Sequence, residues 1–415
     1  PSSTALVCTA QLVLPNNEGR RRDCKGKIMG TVDTYLSRRN QLRENIQSGN
    51  IQSKNVPDAV LIFGLSSIRY FSGFSGSNAL LWIDGSDAAR DVLITDGRYT
   101  TQARGECPGL TIDIQSSRGS AALCATAAER GLHADTLGVD GEFLNWLDYQ
   151  EIAAWLNTEN SGGVDSTTIL AQLVDISPQI AQLRAVKDSA EIVALDKAAR
   201  CAEAALCDLI DEKILAPGVT ENEVAARLDY LMKIHGSECV SFETIVGTGA
   251  NGALPHHSPD GTQISAGDLV VIDFGAVVDG YHSDCTHTFC IGDPQPWQKE
   301  ISDIVWQAHQ AAVAAVVPGI TAGSIDDAAR AIITDAGYRE CFGHSTGHGV
   351  GIDIHEHPWV RTGSQESIVP GTVFTVEPGI YLPDRGGVRI ENTYVLEEDG
   401  NVRSLQALSA ELLLV

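Results

Sequence analysis

No stretch of this sequence reaches the roughly 18 apolar residues that a membrane-spanning helix requires. Basic residues are also scarce: 29 Lys and Arg stand against 54 Asp and Glu, a net charge of −25. Nucleic acid and anionic membranes both need clustered cations, so neither is an expected partner. The ten cysteines include no CxxC pair and are irregularly spaced. A chain this long does not need disulfide staples, so they read as mostly buried small residues in a reducing compartment. The N-terminus lacks the charged-then-apolar pattern of a secretory signal, so a cytoplasmic location is expected. What the chain does have is length and apolar content. Its 415 residues, 43% of them hydrophobic, suffice for two domains with sizeable cores.

Residues 1–30 differ from the rest. Arg20, Arg21, Arg22, Lys25 and Lys27 face only Glu18 and Asp23, with no periodicity. They read as an N-terminal extension that is disordered or not native, or as a short ordered arm, with Met29 a candidate true start. Residues 31–175 alternate strand and helix signals. Ala59–Phe63, Ala79–Ile83 and Asp91–Thr95 are apolar runs of strand length, whereas 35–46, 120–131 and 147–157 are helical in pattern. This predicts a compact α/β domain without a catalytic constellation. Ser177-Pro178 breaks the chain, and Asp188 with Glu191 has capping-box spacing ahead of a long amphipathic helix. A second domain is therefore expected over 176–415. Within it Pro217-Gly-Val-Thr220 recurs as Pro318-Gly-Ile-Thr321, and the helix patterns that follow end at Gly236 and Gly337; both offsets are 101 residues. Two similar α+β halves about a pseudo-twofold axis, with a cleft between them, account for that echo.

Histidine concentrates here, with nine of eleven lying between 256 and 357. Three segments stand out. In the first, Asp279-Gly280 is a favoured hairpin turn. If it forms, Asp273 faces Thr286, Asp284 faces Gly275, and the two carboxylates share one face. Buried like charges need a neutralising partner, and a divalent cation is one; a solvated hairpin face is the alternative. The second segment places His348 and His355 in a glycine-rich run from Gly343 to Glu356. The third carries Glu377 at the end of an apolar strand, then Arg389 and Glu391 on one strand face. Asp273, Asp284, His348, Glu377 and Glu391 make a hard donor set suited to Mn²⁺, with Co²⁺ or Zn²⁺ as alternatives. Four carboxylates are balanced by two ions roughly 3.5–4 Å apart rather than by one.

The stretches Ile272-Asp-Phe-Gly275, Thr346-Gly-His-Gly-Val-Gly351, Val376-Glu-Pro-Gly-Ile-Tyr381 and Gly387-Val-Arg-Ile-Glu391 resemble the pita-bread family of proline-specific metallopeptidases. That family includes Xaa-Pro aminopeptidases and Xaa-Pro dipeptidases (prolidases). Leu183-Arg-Ala-Val-Lys-Asp-Ser-Ala-Glu-Ile192 resembles the segment opening its catalytic domain. The resemblance covers about residues 31–415. It implies an α+β fold: a pita-bread catalytic domain preceded by a smaller, creatinase-like α/β domain. It also implies metal-dependent hydrolysis of the bond preceding proline, in dipeptides or longer peptides, by a homodimer. Asp273 would hold one ion, Asp284 and Glu391 would bridge both, and His348 and Glu377 would complete the second. A hydroxide held there would attack the scissile carbonyl while Glu377 relays the proton. His256 and His355 would lie beside the substrate, His256 stabilising the oxyanion. Two roles are open to Arg389: holding a substrate carboxylate or bracing Glu391. His257 adjoins His256, so a one-residue slip swaps their roles. His344 also matches a family position, while His282 and His357 are expected outside the metal shell. The family's Asp-x-Thr-Arg-Thr is here Asp284-Cys-Thr-His287-Thr. His287 is thus expected to weaken a contact around the ligands or make it pH-sensitive, and Cys285 to face away. The competing readings are a metal-independent creatinase-like hydrolase, a metallopeptidase without proline preference, and a catalytically silent binding relative.

Overall fold

The computed structural model describes residues 31–48, 56–159, 173–409 and 411–415. The expected extension over residues 1–30 lies outside them. The chain forms two units.

The N-terminal unit comprises Met29–Ala190 together with Gly351–His357. It opens with helix α1 (Val32–Gln47), capped by the Thr31 side chain, followed by β1 (Ala59–Ile62), α2 (Leu65–Ser72), β2 (Ala79–Asp84) and β3 (Val92–Asp96). Then come α3 (Thr100–Glu106), β4 (Thr111–Gln115), α4 (Ser120–Arg130), β5 (Leu137–Val139), α5 (Trp146–Glu159), β6 (Leu173–Asp175) and α6 (Ser177–Ala185). The strands form one mixed sheet, ordered β4-β3-β2-β1-β5-β6. Strands β1 to β3 are buried along their whole length, as a sheet covered on both faces requires. Trp82 is fully buried and meets Trp155 edge-on at 6.2 Å. The unit keeps the α/β character expected over 31–175 and continues to Ala190. Its last helix and the residues just after it tie down the 351–357 segment: the buried Glu356 carboxylate accepts from Lys187 Nζ at 3.0 Å and from Arg184. Burial alone would raise the Glu356 pKa, but the charges of Lys187 and Arg184 outweigh it and hold it down at about 2.

The C-terminal unit begins at Glu191. Helix α7 (Ser189–Asp211) leads to α8 (Glu221–Ile234), β7 (Ile245–Thr248), β8 (Leu269–Phe274), β9 (Val277–Val278), β10 (Tyr281–His282) and β11 (Cys285–Cys290). Two helices follow, α9 (Pro296–Ala315) and α10 (Ala322–Asp335). The remaining strands are β12 (Gly347–Gly349), β13 (Glu356–Val360), β14 (Val373–Val376), β15 (Gly379–Leu382), β16 (Gly386–Arg389), β17 (Asn392–Leu396), β18 (Val402–Ser404) and β19 (Leu413–Leu414). Two larger sheets result, β19-β11-β8-β7 and β13-β12-β14-β17-β18, beside the two-stranded pairs β9-β10 and β15-β16. Each larger sheet has its own core. Leu206, Leu228, Ile272 and Phe289 pack on the first, and Val305, Ile325, Ile333 and Phe374 on the second. The sequence echo is now structural. Helices α8 and α10 are both 14 residues long, each capped by the threonine of the repeated motif, Thr220 or Thr321. Each chain leaves its helix through a glycine with positive φ, +106° at Gly236 and +87° at Gly337.

Candidate metal centre

The centre starts from the hairpin β8–β11. Asp279 (φ +53°) and Gly280 (φ +73°) make its tip, and both positive angles match the mirror-image turn that suits strand twist. Tyr281 pairs with Val278, Cys285 with Phe274, and Thr286 with Asp273, which is the expected register. Asp284 lies two residues before Thr286, so it shares a strand face with Asp273. The opposite face carries Cys285, His287 and Phe289. Cys285 packs into the first core as expected. His287 does not reach the carboxylate face: it is 1% exposed, with its ring centroid 6.5 Å from Phe274 and 6.4 Å from Phe289. Burial pushes its pKa down to about 4, so it is neutral. Of the two expectations for His287, a pH-sensitive contact with the ligands is not formed, since an odd separation from Asp284 puts the ring on the other side of the strand.

The second sheet brings the remaining side chains. His348 sits on β12, where the adjoining backbone is close: a Cβ at Gly347 would stand 2.0 Å from the Thr375 carbonyl. Its Nδ1 donates to the Gly349 carbonyl at 2.9 Å, which turns Nε2 inward. That nitrogen lies 3.4 Å from Asp284 Oδ2 and 3.5 Å from Glu377 Oε1. Glu377 follows β14, and its backbone N–H donates to Thr346 O at 2.7 Å. Glu391 follows β16, at the place where the two halves meet: its N–H donates to Thr286 O at 3.1 Å, and Thr286 Oγ1 donates to its Oε2 at 2.7 Å. Ligand-type atoms of Asp284, His348 and Glu391 all lie within 4.8 Å of one another.

Arg389 contacts Asp273 directly, Nη2 to Oδ2 at 2.7 Å, and reaches Glu391 only through Thr286, whose Oγ1 accepts its Nε at 2.9 Å. Its Nη1 donates to Tyr381 Oη at 3.0 Å and to the Pro255 carbonyl at 3.3 Å.

These groups fit a divalent cation. Asp273 Oδ1 is buried and has no hydrogen-bond partner. Without a cation, burial and mutual repulsion push three of the acids toward their protonated forms. Burial, with the Asp284 charge, raises Asp273 to about 6 against the pull of Arg389. Burial, with Asp284 and Asp273, lifts Glu377 to about 7 against the pull of His348. Glu391 rises well above the carboxylate range through burial and its three acidic neighbours. Burial disfavours charge on His348, but Asp284 and Glu377 outweigh it and raise that imidazole to about 9. A hard O-rich set with one imidazole, paying such repulsion, matches divalent-cation chemistry.

The other histidines separate by surroundings. His344 is held by Ser345 O at Nδ1 (2.8 Å) and Tyr381 Oη at Nε2 (2.9 Å). Burial, aided by Arg389 and His256, lowers its pKa to about 4, so Nε2 accepts from the tyrosine. His256 is exposed and near enough to influence His344. His257 turns the other way, its Nε2 at 2.7 Å from Glu221 Oε2. His355 belongs to the N-terminal unit, where it lines a cavity of about 230 Å³ with Ser67, Asp140 and Arg184; His357 lines the same cavity. Thr286 and Tyr381 went unnoticed as site residues. Their signal was positional: each lies two residues from a singled-out residue or motif glycine, and so on the same strand face.

Residues 193–398 match metallopeptidase family M24, and residues 38–186 match the creatinase/prolidase N-terminal domain. The chain is 36% identical over 358 residues to the uncharacterized peptidase YqhT of Bacillus subtilis, covering 86% of this chain and 96% of that protein. It is 40% identical over 269 residues to a Xaa-Pro dipeptidase of Pyrococcus furiosus, covering 65% and 73% respectively. Among solved structures, a Xaa-Pro dipeptidase from Bacillus anthracis aligns with a TM-score of 0.81 at 32% identity, over 92% of this chain and all of that one. An X-Pro aminopeptidase from Thermotoga maritima aligns with a TM-score of 0.75, also at 32% identity, over 90% of this chain and all of that one.

Proposed function

Because the chain belongs to metallopeptidase family M24, we propose that it hydrolyses the peptide bond preceding proline, releasing the N-terminal residue of Xaa-Pro peptides. The observation that carries this reading is the meeting of four carboxylates and one imidazole across two strand pairs, with Asp273 Oδ1 left for a cation. Asp273, Asp284, His348, Glu377 and Glu391 would hold the proposed pair of ions. Manganese is the proposed metal, supported by the hard, oxygen-rich donor set. When bound, such ions supply a nucleophilic water at neutral pH and polarise the scissile carbonyl.

The chain's own residues do the rest. Glu377, beside that position, takes and returns the water's proton. His256 donates to the developing oxyanion, and His355 is proposed as a second substrate-side donor. Arg389 keeps Asp273 ionised and oriented. The similarity to proteins named for both dipeptidase and aminopeptidase activity supports testing both substrates. A homodimer is proposed from family resemblance; a monomer mass that does not change with concentration would count against it. A cytoplasmic location is supported by the eight free cysteines among the described residues. No helix among those residues is long and apolar enough to cross a membrane.

The test is hydrolysis of Ala-Pro and Ala-Pro-Ala by protein stripped of metal and reloaded with Mn²⁺. Metal-dependent release of alanine from either peptide is expected. Folded, metal-loaded protein that cleaves neither would sink the reading. Glu391→Ala should lose bound metal and turnover together; two retained ions and full activity would show the ligand assignment to be wrong.

A further inference from the structure

His256 sits in the loop between β7 and β8, on an exposed surface. A group that donates to a reacting oxygen must be held in place, and a misplacement of about 1 Å can cost on the order of a hundredfold in rate. One buried carboxylate takes several of the hydrogen bonds that hold this loop. Glu221, the first residue of α8, is 0% exposed. Its Oε1 accepts from the Thr248 backbone N–H at 2.8 Å and from Asn251 Nδ2 at 3.0 Å. Its Oε2 accepts from the Asp260 backbone N–H at 3.2 Å and meets His257 Nε2 at 2.7 Å. One side chain thus fastens the loop's entry, middle and exit, and grips the residue next to His256. On the other side of His256, the Pro255 carbonyl accepts from Arg389. The histidine is flanked by two anchored neighbours.

Glu221, His257 and Asp260 approach closely enough to suggest a cation site. The donors argue otherwise. Each Glu221 oxygen already faces two N–H groups, and a cation would have to displace them and leave them buried without partners.

We propose that the Glu221–His257 pair is a positioning device for His256, setting how well that imidazole is aligned for the reaction. This rests on the proline-peptidase reading and on His256 facing substrate. It also separates the two adjacent histidines: His257 serves the loop and His256 the chemistry.

Glu221→Gln sets an amide N–H against the Asp260 N–H and leaves a buried site mismatched, which puts folding itself at risk, so the test uses His257. His257→Leu removes the donor, while His257→Gln restores an N–H at similar reach. In Mn²⁺-loaded protein His257→Leu should lower kcat on the preferred Xaa-Pro peptide by about tenfold to a hundredfold. Metal content should be unchanged and KM little affected, and His257→Gln should recover most of the loss. In a His256→Ala background the same leucine substitution should have almost no further effect, because its target is gone. Amide hydrogen exchange should quicken over 248–260 in His257→Leu and not elsewhere. Losses that add in the double variant, a loosened loop with unchanged kcat, or loss of metal would each overturn the proposal. Unsubstituted protein that cleaves neither Ala-Pro nor Ala-Pro-Ala would instead overturn the peptidase reading beneath it.

Discussion

The hydroxyl of Thr286 donates to Glu391 Oε2 and accepts from Arg389 Nε, so it links a carboxylate to the guanidinium that also grips Asp273. Partners of this kind orient ligands without touching the ion. Thr286→Val keeps the shape and removes both hydrogen bonds. Its metal affinity should fall by about tenfold to a hundredfold, read by titration of metal-free protein, with the fold intact. At this scale the sequence was most legible where residue types are costly to bury. Asp273, Asp284, Glu377 and Glu391 stand out because acids in apolar strands need a reason. Thr286 and Tyr381 did not stand out, because a threonine or tyrosine in a strand is ordinary. His287 shows what a motif position leaves unsaid: strand alternation, not residue type, decides that its imidazole faces Phe274 and Phe289 and makes no pH-sensitive contact with the ligands.

Among the elements, the hairpin does the most to place chemistry. Its register decides whether Asp273 and Asp284 share a face, and the two-residue turn at Asp279-Gly280 fixes that register. Gly280 has φ +73°, which a β-branched residue adopts only under strain. Gly280→Val should lower the thermal midpoint and weaken metal binding together; a drop in stability with unchanged metal affinity would mean that the turn does not govern the register. This turn was readable because its dipeptide is specific. The paired helices α8 and α10 were readable because their caps and terminal glycines repeat. The Ser177-Pro178 break was misleading for a physical reason: proline is favoured in a helix's first turn, where its missing N–H has no role. Here it opens α6, and the N-terminal unit runs past the expected 175/176 boundary to Ala190.

The whole molecule carries buried neutral imidazoles whose protonation opposes folding. His309, stacked on Trp306 at 5.7 Å and close to Tyr394, is lowered by burial to about 4 from 6.5. Between those values the unfolded chain binds a proton that the folded chain refuses. Stability is then fully present above about pH 6.5 and is lost as pH falls toward 4. Metal-free His309→Gln should therefore lose less of its urea midpoint between pH 7 and pH 5 than the unsubstituted protein. Equal losses would show that this histidine is not a source of the acid sensitivity. Such effects were invisible in the sequence, because nothing local to a helical histidine reports the depth of its burial.

The 351–357 segment also limits how far the protein is modular. It comes late in the chain yet packs with Met29–Ala190, and its Glu356 carboxylate is buried against Arg184 and Lys187. Cutting before Glu191 would remove both cations together with the residues that 351–357 packs against, and leave that segment without its partners. The isolated 191–415 fragment should accordingly express poorly or unfold at a lower temperature than the full chain, read by thermal melting of the two proteins. The first domain is thus not a detachable accessory, and a swap that trades it between relatives has to carry 351–357 along with it.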